Sequence, residues 1–250
     1  MGEMGIGGGM GTGMFLGMDP LYLLVFGVTM GLSLLAQFWI KASFAKYSRM
    51  GNTRNLSGAE AATEMLRDEG ITDVQIRRFE GGMLSDHYDP RTKVINLSPE
   101  VYDSRSVAAV GVACHEAGHA LQHARGYAAL AFRNFLVGPT TIASKFAIPL
   151  ILIGLMLQSL GLAKIGLILF GVTFLFQVLT LPVEINASMR SKQALVAHHI
   201  VAPGAESRGV STVLTAAAFT YIAAAVASLM TLLYWAFRLG LLGGGRRSND

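Results

Sequence analysis

Four long stretches of apolar residues constrain this chain more than any other feature. Each holds about 20 residues, the length that an α-helix needs to cross the hydrocarbon core of a bilayer. Hydrophobic residues make up 52% of the chain and charged residues only 14%, as expected of a protein with a large apolar surface. The sequence therefore predicts an α-helical membrane protein with about four transmembrane helices. The stretches are Leu21–Ile40, Phe146–Ala163, Ile165–Val183 and Val213–Phe237.

The two middle stretches are separated by a single charged residue, Lys164. Together with Gly161 and Gly166, this lysine predicts a tight hairpin. Both stretches are near the lower length limit for a membrane span. A re-entrant pair that returns to the same face of the membrane is the alternative interpretation.

The distribution of lysine and arginine predicts the orientation, because these residues accumulate on the cytoplasmic side of membrane proteins. Most of them would lie on one side of the four spans, so that side is expected in the cytoplasm. The expected location of this multi-pass protein is the bacterial inner (plasma) membrane. Arg238, Arg246 and Arg247 oppose this orientation. The residues that favour it are Lys41, Lys46, Arg49, Arg54, Lys145, Arg190 and Lys192.

The basic isoelectric point, near 9.3, does not indicate nucleic-acid binding. The net charge is only +4, and much of the basic content flanks apolar stretches, where it meets anionic lipid headgroups. A lipid bilayer is the predicted partner, and no nucleic acid is expected.

A segment of mixed polarity, 41–145, follows the first stretch and is long enough for one small domain. Ser57 begins a capping box and Gly70 supplies a helix stop, so a short helix is expected between them. A second helix is predicted from Ser104 or Ser106 to Arg125. Between the two helices, residues 74–79 and 93–97 alternate in polarity and predict strands of a small sheet.

The second helix carries the sequence His115-Glu116-Ala117-Gly118-His119. Two histidines four residues apart lie one turn apart on one helix face, where both can bind a single zinc ion. Glu116 lies beside them and can act as general base for a water molecule. The motif predicts one Zn²⁺ and amide hydrolysis, and no other cofactor is expected.

Catalytic zinc needs a third protein ligand, and Glu184 is the predicted one. It lies at the end of the third apolar stretch, where an unpaired carboxylate is unfavourable. The alternative is a glutamate that reaches the membrane interface or pairs with Arg190 or Lys192.

Three segments resemble the YugP-type membrane zinc metallopeptidases: His87 to Lys93, Ala113 to Tyr127 and Leu181 to Ser188. The resemblance covers nearly the whole chain and implies a zinc peptidase of unknown substrate. More distantly, the chain is similar to the HtpX-type and prenyl-protein membrane proteases. That similarity implies a small zincin-like α+β domain and supports Glu184 as third ligand.

The distant relatives imply two further features. They commonly carry an aspartate four residues after the ligand glutamate, where it can orient a zinc histidine, whereas this chain has Ser188. They also bind the substrate backbone along an edge strand that precedes the zinc helix. The equivalent residues here are Lys93, Val94, Ile95, Asn96 and Leu97.

Zinc peptidases need a donor that stabilises the oxyanion, and the sequence offers His198, Arg190 and Tyr127 without deciding among them. His123 lies too far along the helix from His115 to share its zinc, so a structural role is predicted.

Four other residues of metal-binding type have structural interpretations. Asp86, His87 and Asp89 belong to a predicted turn and hairpin. Cys114 is the chain's single cysteine; it excludes an internal disulfide and is expected to be a small packing residue.

The predicted function is that of a zinc-dependent membrane endopeptidase that cleaves membrane or membrane-near proteins at the cytoplasmic face. Alternatives are a catalytically inactive zinc-stabilised scaffold or an intramembrane protease, although the motif helix is polar for a membrane span. The sequence does not predict protein partners or oligomeric state. The predicted organisation is a flexible tail (1–18), a first transmembrane helix (19–40), a metallopeptidase domain (41–145), a transmembrane hairpin (146–183), a third-ligand segment and loop (184–212), a fourth transmembrane helix (213–239) and a second flexible tail (240–250).

Overall fold

The computed structural model describes residues 19–82 and 85–242. The tails that were predicted to be flexible, 1–18 and 240–250, lie outside these residues except for 240–242. In chain order the elements are α1 (Pro20–Tyr47), α2 (Gly58–Asp68), β1 (Gln75–Arg78), β2 (His87–Asp89), β3 (Val94–Leu97), α3 (Pro99–Tyr102), α4 (Val107–Ala124), α5 (Ala128–Met156), α6 (Leu160–Ala197) and α7 (Ala205–Arg238).

Four of these helices, α1, α5, α6 and α7, are long and apolar enough to cross a membrane by length and composition. Large apolar side chains cover their outer faces; Phe38 on α1 and Phe135 on α5 are both 72% exposed. Many exposed apolar side chains on neighbouring helices are unusual on the surface of a water-soluble protein. The four predicted apolar helices are thus present in the fold.

The turn between α5 and α6 lies at 157–159, several residues before the turn predicted around Gly161, Lys164 and Gly166. Gly166 has a different purpose, because an added Cβ there would lie 2.7 Å from the carbonyl oxygen of Ala147. The glycine lets α5 and α6 approach closely, as small residues do between membrane helices. The prediction that Gly166 belongs to the turn is therefore wrong, because this glycine serves helix packing.

The long helices also extend beyond the apolar stretches. Helix α6 continues past Pro182 to Ala197, so Glu184 lies within a continuous helix instead of opening the separate segment expected over 184–212. Helix α5 begins at Ala128, inside the region predicted as part of the polar domain. An apolar stretch marks only the part of a helix that can cross the membrane. The backbone hydrogen bonds of the helix can continue into the polar residues that follow or precede that stretch.

The small domain contains the elements that the polar segment predicted. Ser57 and Glu60 form both hydrogen bonds of a capping box at the start of α2. The oxygen of Ser106 accepts a hydrogen bond from the Ala109 amide and caps α4. Gly126 follows α4 with φ of 63°, the left-handed conformation that favours glycine at a helix end.

The sheet has the strand order β1-β3-β2, with β3 parallel to β1 and antiparallel to β2. Its central strand, β3, packs on the main apolar core, where Ile95 and Leu97 are fully buried. The same core takes in α2, most of α4, the end of α6 and the beginning of α7. Helix α4 is thereby held between the sheet and the long helices.

Candidate metal centre

Helix α4 presents His115 and His119 on one face, one helical turn apart. Their ring centroids are 4.9 Å apart and the ring planes are nearly perpendicular. Both side chains are mostly withdrawn from solvent, with 13% and 10% of their surface exposed. The sequence predicted this pairing from the spacing of the two histidines alone.

Helix α6 brings Glu184 to this face from 69 residues further along the chain. The carboxylate is buried, with 3% of its side-chain surface exposed. Its Oε2 atom lies 3.2 Å from Nε2 of His115 and 3.5 Å from Nε2 of His119. The structure thus brings together the three residues that the sequence proposed as zinc ligands.

These separations suit a metal ion. One ligand atom from each of the three residues lies within 4.8 Å of the others. Bond lengths of about 2.0 Å in a tetrahedral zinc site place ligand atoms about 3.3 Å apart. The two measured distances bracket that value, so the carboxylate lies at a suitable distance from each histidine to share an ion with it.

Gln122 orients His119. Its amide nitrogen donates to the backbone carbonyl of Val183, 2.8 Å away, and to Oδ1 of Asn186. This arrangement turns Oε1 of Gln122 toward Nδ1 of His119, at 3.0 Å. Because a carbonyl oxygen only accepts, Nδ1 of His119 carries a proton, which leaves Nε2 as the ring nitrogen that can bind a metal.

Ser188 contacts the other histidine. Its hydroxyl oxygen lies 3.1 Å from Nδ1 of His115, in the place where an aspartate was expected from distant relatives. With Nδ1 protonated, the Nε2 lone pair of His115 also faces Glu184. Two imidazole lone pairs and a carboxylate oxygen would then repel one another unless a cation lay between them. The donor set therefore fits zinc.

Glu116 lies immediately beside this cluster and is buried. Its Oε2 atom accepts a hydrogen bond of 3.0 Å from the backbone N–H of Tyr88 on β2. Burial raises the pKa of the Glu116 carboxyl above its ordinary range, and the nearby histidines oppose that effect. A carboxylate with a raised pKa is suited to take up and release a proton near neutral pH.

Of the three predicted oxyanion donors, His198 and Arg190 have partners outside the metal cluster. Nε2 of His198 lies 3.2 Å from an oxygen of Glu69, and His198 follows Glu184 by about 21 Å along the helix axis. Nε of Arg190 donates to Asn186 at 2.7 Å. The guanidinium of Arg190 also lies over the ring of Tyr127, 5.9 Å from its centroid.

The prediction that Lys93–Leu97 forms an edge strand is wrong. Within this segment β3 is the central strand, because β1 and β2 pair with its two sides. Both edges of its backbone are therefore occupied, and no extended peptide can add to it. Strand β2, which carries Tyr88, is the sheet edge that faces Glu116.

The remaining candidates have structural contacts. Nδ1 of His123 lies 2.8 Å from the hydroxyl of Tyr88. Asp86 accepts hydrogen bonds from the amide and hydroxyl of Ser98, and Asp89 accepts two within the β2–β3 turn. Nε2 of His87 lies 3.2 Å from the side-chain nitrogen, Nδ2, of Asn96 on β3.

Two residues near the cluster were missed by sequence reasoning. Arg133 of α5 places Nη2 3.9 Å from Oε1 of Glu184. The phenol of Tyr221 on α7 lies beside the same carboxylate. An arginine in the mainly apolar run from Ala128 to Met156 was the available signal for the first; a tyrosine in an apolar helix gives none.

Comparison with known proteins identifies the family. The family model described as "Putative neutral zinc metallopeptidase" matches residues 22–240. The "Putative membrane protease YugP" of Bacillus subtilis (strain 168) is 44% identical over 213 residues, which cover 85% of this chain and 94% of that protein. No solved structure matches the chain. The name of this relative and the four apolar helices together indicate a membrane protein. The chain therefore belongs to the neutral zinc metallopeptidase family that this model describes.

Proposed function

We propose that this protein is a zinc-dependent membrane endopeptidase that cleaves membrane or membrane-near proteins. His115, His119 and Glu184 would hold one Zn²⁺, and Glu116 would be the general base. The observation that carries the proposal is the convergence of three ligand atoms within 4.8 Å next to a buried carboxylate. Family membership supports zinc and peptide hydrolysis.

The zinc, when bound, would supply Lewis-acid activation of water and of the substrate carbonyl. The chain's own residues do the remaining work. Glu116 accepts a proton from the attacking water and returns it to the leaving nitrogen. Gln122 and Ser188 hold the two imidazoles in the orientation that leaves Nε2 of each directed at Glu184.

The proposed substrate-binding edge is β2 and not β3. The backbone N–H of Tyr88 points away from β3 and donates to Glu116, so this edge of β2 faces the site. An extended peptide that adds to β2 would place its backbone next to Glu116, with little dependence on sequence.

Helix lengths support a site at the membrane surface. Glu184 follows the start of α6 by 24 residues, about 36 Å of helix, slightly more than the hydrocarbon thickness of about 30 Å. With the α5–α6 turn at one face of the bilayer, Glu184 would lie at the other face. The basic residues near the polar domain favour the cytoplasmic side of the bacterial inner membrane.

The test uses purified protein, zinc analysis by mass spectrometry and cleavage of fluorescein-labelled casein. Glu116→Gln should retain zinc and lose cleavage, whereas Glu184→Ala should lose zinc. Glu100→Gln, an exposed position on α3, is the matched control and should behave as wild type. Full activity of Glu116→Gln would refute the hydrolase assignment, and bound zinc without any cleavage by the wild type would favour the scaffold. Comparative membrane proteomics of cells with wild-type protein or Glu116→Gln would then identify substrates.

A further inference from the structure

Arg133 has an unusual environment for a charged side chain. It lies in α5, one of the four helices with membrane-spanning character, and 29% of its side-chain surface is exposed. It lies near the start of α5, before the apolar stretch that begins at Phe146, so what is unusual is that an arginine at this position is so little exposed. The acidic group nearest to it in the described chain is Glu184, with Nη2 3.9 Å from Oε1.

The pairing with Glu184 is incomplete. A separation of 3.9 Å is longer than a hydrogen bond. The Nε atom of Arg133 is buried and has no hydrogen-bond partner among the described residues. A buried donor without a partner costs free energy, so such a group calls for a ligand or a functional explanation.

The two oxygens of the Glu184 carboxylate face different neighbours. Oε2 faces the Nε2 atoms of His115 and His119, whereas Oε1 faces Arg133. The guanidinium therefore borders the candidate metal centre without occupying the position of a ligand. The guanidinium is a permanently charged donor, and part of its side chain is exposed on the side of the candidate metal centre that Oε1 of Glu184 faces.

Other arginines near α4 and α6 lack this property. Arg190 donates to Asn186, and Arg125 pairs with Glu69; neither partner belongs to the metal cluster. Among the arginines in the described part of the chain, Arg133 is thus the one that lies within 4 Å of Glu184 and also has a donor atom, Nε, without a hydrogen-bond partner.

We propose that Arg133 stabilises the oxyanion that forms at the carbonyl oxygen of the scissile bond. The inference deepens the proposed peptidase function and rests on it. Water oxygen bonds to the carbonyl carbon as Glu116 takes one water proton, and the π electrons move to the carbonyl oxygen. Arg133 donates to that oxyanion and keeps its own proton. The oxyanion's electron pair then re-forms the C=O bond, the C–N bond breaks with its electrons going to nitrogen, and that nitrogen leaves with the proton from Glu116.

The alternative role for Arg133 is that of a counter-ion that holds Glu184 in place. In that case its removal would reduce zinc retention, because Glu184 would lose its neighbour. An oxyanion donor acts on the transition state instead, so its removal lowers kcat and leaves KM and bound zinc nearly unchanged. These readouts separate the two roles.

The experiment compares Arg133→Gln and Arg133→Lys with wild type. Arg208→Gln, an exposed arginine near the start of α7, is the matched control. Zinc content, kcat and KM on internally quenched casein-derived peptides are measured. Binding of two dipeptide probes is measured as well: an N-phosphoryl dipeptide, which is a tetrahedral anion, and a hydroxamate dipeptide, which mainly chelates metal.

Arg133→Gln is expected to keep zinc, to lose about 10²- to 10³-fold in kcat and to lose a similar factor in N-phosphoryl dipeptide affinity, with hydroxamate binding retained. Arg133→Lys should recover part of the kcat. Unchanged kcat and unchanged N-phosphoryl dipeptide binding in Arg133→Gln would overturn the inference while the peptidase function stood. Loss of zinc in both variants would also overturn it, in favour of the counter-ion. Absence of cleavage by the wild type would instead contradict the peptidase function itself.

Discussion

Gly118 of α4 lies directly against the backbone carbonyl of Ala187 on α6: an added Cβ would come 2.6 Å from the carbonyl oxygen. Gly118 is the residue before His119, and Ala187 lies between Glu184 and Ser188 in the sequence. The contact therefore sets how closely the two histidines approach the carboxylate from α6. The second variable position of His-Glu-x-x-His is constrained here by helix packing.

Gly118→Ala should force α4 and α6 apart, because the atom it meets belongs to backbone and cannot rotate away. We expect a loss of stability of about 1–3 kcal/mol together with weaker zinc retention. Thermal unfolding in detergent and zinc analysis after dialysis measure the two effects. Gly171→Ala in α6 is the control, since an added Cβ there meets nothing within 4 Å. If Gly118→Ala retained zinc and stability as well as Gly171→Ala does, the close contact would not hold the site together.

The local parts of this site could be predicted from sequence, because a spacing of four residues in a helix fixes which side chains share a face. His115, Glu116 and His119 follow from that rule, and the caps at Ser57 and Ser106 follow from similar local rules. Contacts between distant segments have no such periodic signal. Glu184 was proposed through its unfavourable depth in an apolar stretch and through family resemblance.

Two predictions from the sequence are wrong for the same physical reason. The glycines near the α5–α6 turn were interpreted as turn residues, although Gly166 serves the packing of two helices. The segment Lys93–Leu97 was interpreted as an edge strand, although β1 and β2 pair with both sides of β3. Whether a glycine faces a helix or a strand lies at an edge depends on what packs against it, which local pattern does not specify.

Gln122 gives the next prediction, because it links His119 to the backbone of α6 at Val183. Gln122→Leu removes the acceptor that fixes the Nδ1 proton of His119. We expect zinc affinity to fall by about 10- to 100-fold, as it does when supporting groups of metal histidines are removed. Competition with a chromophoric chelator measures this affinity. Gln193→Leu, an exposed position on α6, should leave it unchanged, and equal affinities in the two variants would contradict the role of Gln122.

Ser188 orients the other histidine through a neutral hydroxyl. Ser188→Ala should lower zinc affinity, because Nδ1 of His115 loses its partner. Ser188→Asp should bind zinc at least as tightly as wild type, since a carboxylate accepts the Nδ1 proton more strongly and raises the basicity of the ligand nitrogen. The same chelator competition measures both variants. An alanine variant with wild-type affinity would show that the 3.1 Å contact does not orient His115.

Cys114 supplies a probe of whether α4 stays packed, since it precedes His115 and is fully buried in the main core. Burial raises the pKa of its thiol far above the ordinary range, so at pH 7 to 9 the reactive thiolate is even rarer than in a free cysteine. N-ethylmaleimide should therefore label native protein very slowly and denatured protein completely. Cys114→Ala with Arg67→Cys, an exposed position on α2, should label at once in the native state and controls for reagent access. Rapid labelling of native Cys114 would mean that α4 opens away from the core, and the two histidines could not then be held in a fixed position opposite Glu184.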